Sequence, residues 1–278
     1  MPKRRPHTFT PSALVLVAAL VLAGCAHRGD TVPVASATPA RSTSPAAAWQ
    51  GARQLVLVVT PGWNANHGTL RTFARDGDGW REVRAATPVT IGKNGAGWGL
   101  GLNAPQHDGP LKREGDNRSP AGVFRIGEAF GYAAHAATAL PYRALTATDY
   151  CMDVSGAAQY NRIVDANVVG ADAVKGSSEP MRRDLHVNGD QGYRLGFVIE
   201  HNAQAAPQGG SCIFAHLWKS PSDATAGCTA MTPAVMESLL AWLKPQQHPV
   251  FVLLPQAEYE RLRADWQLPA LATADAAQ

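Results

Sequence analysis

Charge is scarce in this chain: Asp, Glu, Lys and Arg together make up 17% of its 278 residues. Long apolar runs are scarce too. The run Ala13–Leu22 spans ten residues, against the roughly 20 that a membrane-crossing helix needs, so no transmembrane segment is expected. Neither a His-Glu-x-x-His motif nor a close His-x-His pair occurs. That argues against a zinc peptidase built on His186, His201 and Asp190 or Cys228. No basic stripe is present to recruit nucleic acid. Internal repeats are missing as well. Length and composition then allow one sizeable domain.

What the first 50 residues do contain is a processing pattern. Lys3, Arg4 and Arg5 precede the apolar run, and Leu22-Ala23-Gly24-Cys25 closes it. This ending resembles the lipobox of bacterial lipoproteins. The resemblance implies a signal peptide over residues 1–24 and lipidation of Cys25. Ala26 in place of Asp implies sorting to the outer membrane, with the domain facing the periplasm of the cell envelope. Removing that segment takes away three basic residues and no acidic ones, leaving 22 of each sign and a net charge of zero. The pI of 8.7 is therefore no argument for a nucleic-acid partner. Residues 25–49 are Ala, Ser, Thr and Pro with little to bury, and read as a flexible tether. The folded part is expected over residues 50–269, followed by a disordered tail at 270–278.

The domain reads as mainly β with a few helices. Gln54–Thr60 is a continuous β-branched run, and Thr69–Arg75 and Trp80–Ala86 flank the turn Asp76-Gly77-Asp78-Gly79. Further strands are expected at Gly122–Phe130, Leu195–His201, Cys212–His216 and Pro249–Leu254. Two helices stand out. Thr232-Pro233 is an N-cap followed by proline at the first helical position, with Met236, Leu239, Leu240 and Leu243 at helical spacing. Gln256–Trp266 puts Tyr259, Leu262 and Trp266 on one face.

Setting Cys25 aside leaves Cys151, Cys212 and Cys228, an odd number for an oxidising compartment. The favoured arrangement bonds Cys151 to Cys212 and leaves Cys228 free, because Cys228 alone has catalytic surroundings. It follows Gly227 and precedes the capped helix, whose N-terminal field is expected to lower the thiol pKa. The backbone N–H groups of Gly227, Cys228 and Thr229 are candidates for an oxyanion hole. His216, separated from Cys228 by eleven residues, ends a strand-like run and is the candidate base. His201 is the competing base. His201, Asn202 or a backbone carbonyl are candidates for orienting His216.

The blocks Gly210-Ser211-Cys212-Ile213-Phe214-Ala215-His216 and Ala226-Gly227-Cys228-Thr229-Ala230-Met231 resemble the His…Gly-Cys signature of YkuD-like L,D-transpeptidases. Gly115-Asp116-Asn117-Arg118-Ser119-Pro120-Ala121-Gly122, Tyr150-Cys151-Met152-Asp153, Tyr160-Asn161 and Glu200-His201-Asn202 follow the family's order. The resemblance implies a YkuD-like β-sandwich acting on peptidoglycan stem peptides. Cys228 would attack the bond between the third and fourth residues of the stem, and His216 would activate it. A second stem's amine, or another amine, would resolve the thioester, and the resemblance implies no metal or organic cofactor. One departure is clear: the family arginine two positions after the cysteine is Ala230 here. Arg118, Arg113 or Lys112 are the candidates to hold a substrate carboxylate instead.

The nearest rival keeps the same site with water as acceptor, giving an L,D-carboxypeptidase or hydrolase; the Gly-Cys-x-Ala-Met variant is associated with cleavage in some relatives. A papain-like wall peptidase needs its Cys before its His, and only His248 follows Cys228. A non-catalytic lipoprotein that binds wall peptide leaves the Gly-Cys arrangement without a purpose. The oligomeric state is not encoded in any motif.

Overall fold

The structure, a computed structural model, describes residues 48–271. The signal segment 1–24, Cys25, the tether up to residue 47 and the tail from residue 272 lie outside them.

Strands are the main regular structure. In order these are β1 (Gln54–Thr60), β2 (His67–Asp76), β3 (Gly79–Glu82), β4 (Thr87–Thr90), β5 (Ala96–Trp98), β6 (Ser119–Gly131), β7 (Tyr142–Ala144), β8 (Asp149–Cys151) and β9 (Ile163–Asp165). After the short helix α1 (Ala166–Val169) come β10 (Glu179–Pro180), α2 (Arg183–His186), β11 (Leu195–Ile199), β12 (Phe214–Leu217) and β13 (Thr229–Met231). The chain ends with α3 (Pro233–Trp242), β14 (Val250–Pro255) and α4 (Gln256–Leu262).

The main sheet runs β1-β14-β6-β11-β12-β13-β4-β2-β3, and β1 also pairs with β2. The hydrogen-bonded path β1-β14-β6-β11-β12-β13-β4-β2 therefore returns to its start. β1 lies between two partners, parallel to β14 and antiparallel to β2, and all its residues but Val59 are buried. Because side chains on both faces of β1 are buried, no polar face is needed, which is why Leu55–Val59 is apolar without alternation. β14 is buried throughout for the same reason. A separate small sheet, ordered β10-β8-β9, flanks the main one.

Helix α3 begins as expected: the Thr232 hydroxyl accepts from the Val235 N–H and Pro233 follows. It buries Met236, Leu239 and Leu240 against β11 and β12. Tyr259 and Leu262 of α4, with Trp266 beyond it, are also buried. Trp49 packs edge-on to Trp266, with ring centroids 5.5 Å apart, so packing begins one residue before the expected start. No helix among the described residues is long and apolar enough to cross a membrane.

Candidate active site

Cys228 and His216 are brought together by a parallel strand pair. β12 and β13 are in register at Ala215↔Thr229, His216↔Ala230 and Leu217↔Met231. Cys228 lies just before β13, beside Phe214. Its sulfur accepts from the Phe214 N–H (3.3 Å) and donates to the Cys212 carbonyl (3.5 Å). Its own carbonyl is held by two hydroxyls, Thr225 Oγ1 at 2.6 Å and Ser119 Oγ at 3.1 Å. Ser119 Oγ in turn accepts from the Gly92 N–H (2.9 Å). Gly227 is required at the entry, since a Cβ there would meet the Arg118 carbonyl oxygen at 3.1 Å.

Two expectations about the thiol are corrected. The three-residue strand β13 separates Cys228 from α3, and a helix field fades within about one turn. Burial pushes the thiol up to about 12, helped by the negative charge of Glu179. The Phe214 N–H, the Tyr193 hydroxyl and Arg183 oppose that shift. Cys228 thus rests as a neutral thiol. Of the three expected oxyanion donors, the Gly227 N–H is already given to Thr225 Oγ1 (3.1 Å).

His216 rests neutral as well. Burial pulls it down to about 4, against the opposing hydrogen bond to Leu217. Its Nδ1 lies 2.8 Å from the Leu217 carbonyl. A carbonyl only accepts, so Nδ1 carries the proton and Nε2 is left with a free lone pair. The backbone carbonyl is thus the group that orients the imidazole. The Tyr193 ring meets it edge-on, centroids 5.2 Å apart.

Neither side-chain candidate for that orienting role faces His216. His201 is buried, with Nδ1 accepting from the Leu100 N–H (3.2 Å) and Nε2 facing the Gly209 carbonyl (2.9 Å). Both ring nitrogens are spent, which also removes His201 as the base. The Asn202 side chain folds its own loop, donating to the carbonyls of Ala206 and Gly210 at 3.0 Å each. Both belong to a frame behind the site. Asn161 donates to the carbonyls of His201 (2.8 Å) and Asn202 (2.9 Å) and accepts from the Cys212 N–H (2.9 Å). Cys212 is disulfide-bonded to Cys151, and Cys228 is free.

The cleft over this pair measures about 490 Å³. Lys112, Glu114, Glu179, Arg183, Asp190, Tyr193, His216, Cys228 and Ala230 are among its lining residues. Arg118 and Arg113 are not. The Arg118 guanidinium is committed to the carbonyls of Trp63 (3.1 Å) and Ala96 (2.9 Å) and to Asn64 Oδ1 (3.1 Å). The Lys112 ammonium is taken by Asp116, 2.6 Å away. The cation facing the cleft near the reacting pair is instead Arg183, bonded to Glu179 and Asp190 at 3.0 Å each. Sequence reading passed over Glu179, Arg183 and Tyr193 and named Asp190 only as a ligand of a disfavoured zinc site; all four arrive from the segment before β11. Among the described residues, no group of three or more His, Cys, Asp or Glu side chains is arranged to hold a metal ion.

A β-rich domain that presents a free cysteine and a tautomer-fixed histidine in one cleft has the parts of a cysteine acyltransferase or hydrolase. The chain belongs to the L,D-transpeptidase catalytic domain (YkuD) family, whose model matches residues 64–252. No curated protein and no solved structure matches it.

Proposed function

We propose that this protein is a cell-envelope L,D-transpeptidase that works on peptidoglycan stem peptides through a thioester on Cys228, with His216 as base. The observation that carries the reading is the pairing of the one free cysteine of the described residues with a histidine whose Nδ1 is fixed on Leu217. His216 Nε2 takes the thiol proton as Sγ attacks the stem carbonyl. The C–N bond breaks, the leaving amine takes that proton, and a thioester remains. An acceptor amine then attacks the thioester, gives its proton to His216, and the sulfur recovers it as the new amide departs. Because thiol and imidazole both start neutral, the proton moves with the attack rather than before it. The Leu22-Ala23-Gly24-Cys25 sequence supports a lipid anchor facing the periplasm, and the wall is then the substrate within reach.

The test is intact-mass analysis after incubation with a carbapenem, beside a Cys228→Ala control, followed by turnover of stem peptide. An adduct that disappears in Cys228→Ala supports the acyl-enzyme. Formation of the adduct in Cys228→Ala places the nucleophile elsewhere. Absence of both adduct and stem-peptide turnover rejects the reading. Product masses separate the acceptors, since cross-linked product reports an amine and a shortened stem reports water.

A further inference from the structure

The acylation scheme gives no task to the small sheet β10-β8-β9, yet the connection between β8 and β9 reaches the nucleophile. Cys228 Sγ donates to the Cys212 carbonyl (3.5 Å), and Cys212 is gripped twice from that side. Cys151, the last residue of β8, is bonded to it covalently. Asn161, further along the connection, takes the Cys212 N–H on its Oδ1 (2.9 Å). Asn161 is tied to the same hairpin, its own N–H donating to the Met152 carbonyl (2.7 Å). Its side-chain amide donates to the carbonyls of His201 (2.8 Å) and Asn202 (2.9 Å), so the oxygen that holds Cys212 cannot swing away. Cys212 itself has a φ of +55°, a left-handed backbone that a residue with a Cβ adopts only where its surroundings impose it. With that backbone its N–H faces Asn161 while its carbonyl faces the sulfur. Relaxing φ to a negative value with the N–H held would swing the carbonyl off the thiol.

We propose that Asn161 is a positioning residue for the nucleophile: by holding the Cys212 amide it keeps the Cys212 carbonyl on the Cys228 thiol, and so fixes where the sulfur and its proton stand before attack. The sulfur has two backbone partners, the Phe214 N–H (3.3 Å) and the Cys212 carbonyl. Phe214 lies in β12, where its pairing with Val198 of β11 sets it in place. Cys212 precedes β12 and has no such pairing, so its carbonyl needs another anchor. The disulfide restrains the Cys212 side chain and leaves its peptide planes free to turn, whereas the hydrogen bond to Asn161 fixes the plane that carries its N–H. The two restraints are therefore not redundant. A hydrogen bond donated by the neutral thiol favours S–H over the thiolate, so the same contact keeps Cys228 protonated until His216 takes the proton. Asn161 is not among the residues that line the cleft, and its effect passes through Cys212. No covalent bond changes at either residue.

The role assigned to Asn161 rests on Cys228 being the nucleophile, and its first readout needs no turnover. It is the infrared S–H stretching band of Cys228 in the full chain, assigned by its loss in Cys228→Ala, with carbapenem acylation of the same samples alongside. A hydrogen-bonded S–H absorbs at lower wavenumber than a free one, so wild type should show the bonded position. Asn161→Gly tolerates the left-handed backbone at position 161, where φ is +62°, and removes the side chain. It should move the band towards the free-thiol position and slow acylation about tenfold, as expected for a reacting group displaced by a fraction of an ångström. A merely structural role predicts a lower urea midpoint with band and acylation unmoved, and that result overturns the proposal. So does a wild-type band at the free-thiol position, or a band that moves while acylation keeps its wild-type rate. Should Asn161→Gly not fold, Asn161→Asp decides. It keeps an oxygen for the Cys212 N–H while giving up the amide donors, so its band should stay at the wild-type position, and a free-thiol band overturns the proposal. Wild type that neither acylates nor turns over stem peptide, with the band still moved by Asn161→Gly, would reject the transpeptidase reading and leave the restraint on the thiol standing.

Discussion

At the scale of single residues, Cys228 is held by its carbonyl as well as by its sulfur. Two hydroxyls, Ser119 and Thr225, converge on the Cys228 carbonyl, and Ser119 also satisfies the Gly92 N–H. Ser119→Ala leaves both groups without this partner in a buried place, a loss of about 1–3 kcal/mol, and frees Cys228 to drift. The expected outcome is a lower urea midpoint together with slower carbapenem acylation. Retained acylation with lost stability would confine Ser119 to packing. That Cys228 and His216 would line one cleft was legible in the sequence, because a Gly-Cys and a histidine with eleven residues between them form a local pattern. Tyr193 and Glu179 were not, since nothing near them in the chain says that folding sets them beside Cys228. The thiol's upward shift was likewise hidden: it follows from burial, which a six-residue motif does not display.

At the scale of elements, the longer strands and the four-residue β3 and β12 could be read, and the three-residue strands could not. β1, β2, β6, β11 and β14 all overlap the expected runs, and α3 carries its predicted cap. β5, β7, β8, β9 and β13 have three residues each, too few to show a period of two. β13 mattered most, because reading Thr229-Ala230-Met231 as the lead into a helix suggested an electric field that the strand moves out of reach. The disulfide between Cys151 of β8 and Cys212 joins the small sheet to the segment that precedes β12. It closes a loop of sequence separation 61, for which chain entropy suggests a stabilisation of about 4 kcal/mol. Cys151→Ser paired with Cys212→Ser should lower the denaturation free energy by that order. Acylation should fall too, because the Cys212 carbonyl that accepts from the Cys228 thiol is no longer anchored. Unchanged acylation in the double variant would limit the bond to stability.

At the scale of the whole molecule, stability should depend on pH through two imidazoles, His201 buried and His216 half-buried at the cleft. His201 and His216 are both pulled down from 6.5 to about 4, chiefly by burial. Between those values the unfolded chain binds more protons than the folded one, so stability rises with pH. The contribution is complete above about 6.5 and is lost as the pH falls towards 4, with a limiting slope of about 3 kcal/mol per pH unit for two sites. Urea midpoints at pH 7.5, 5.5 and 4.5 should fall in that order, and His201→Gln should flatten the fall. A flat wild-type profile would mean the two rings are not held neutral.

The closed strand path bears on the order in which the protein is made. β1 is the first strand of the fold and β14 the last, yet Leu55 lies directly opposite Val250. β14 also joins β6, with Phe251 opposite Phe124, so the N-terminal strand is sealed only by a strand delivered at the far end of translation. His216 and Cys228, by contrast, sit on neighbouring strands a short loop apart. Contacts this remote in sequence make for slow folding, on the millisecond-to-second scale of high-contact-order β proteins. A chain that emerges from its N-terminus therefore has Cys228 and His216 within reach of each other before the strand that closes the sheet path is present.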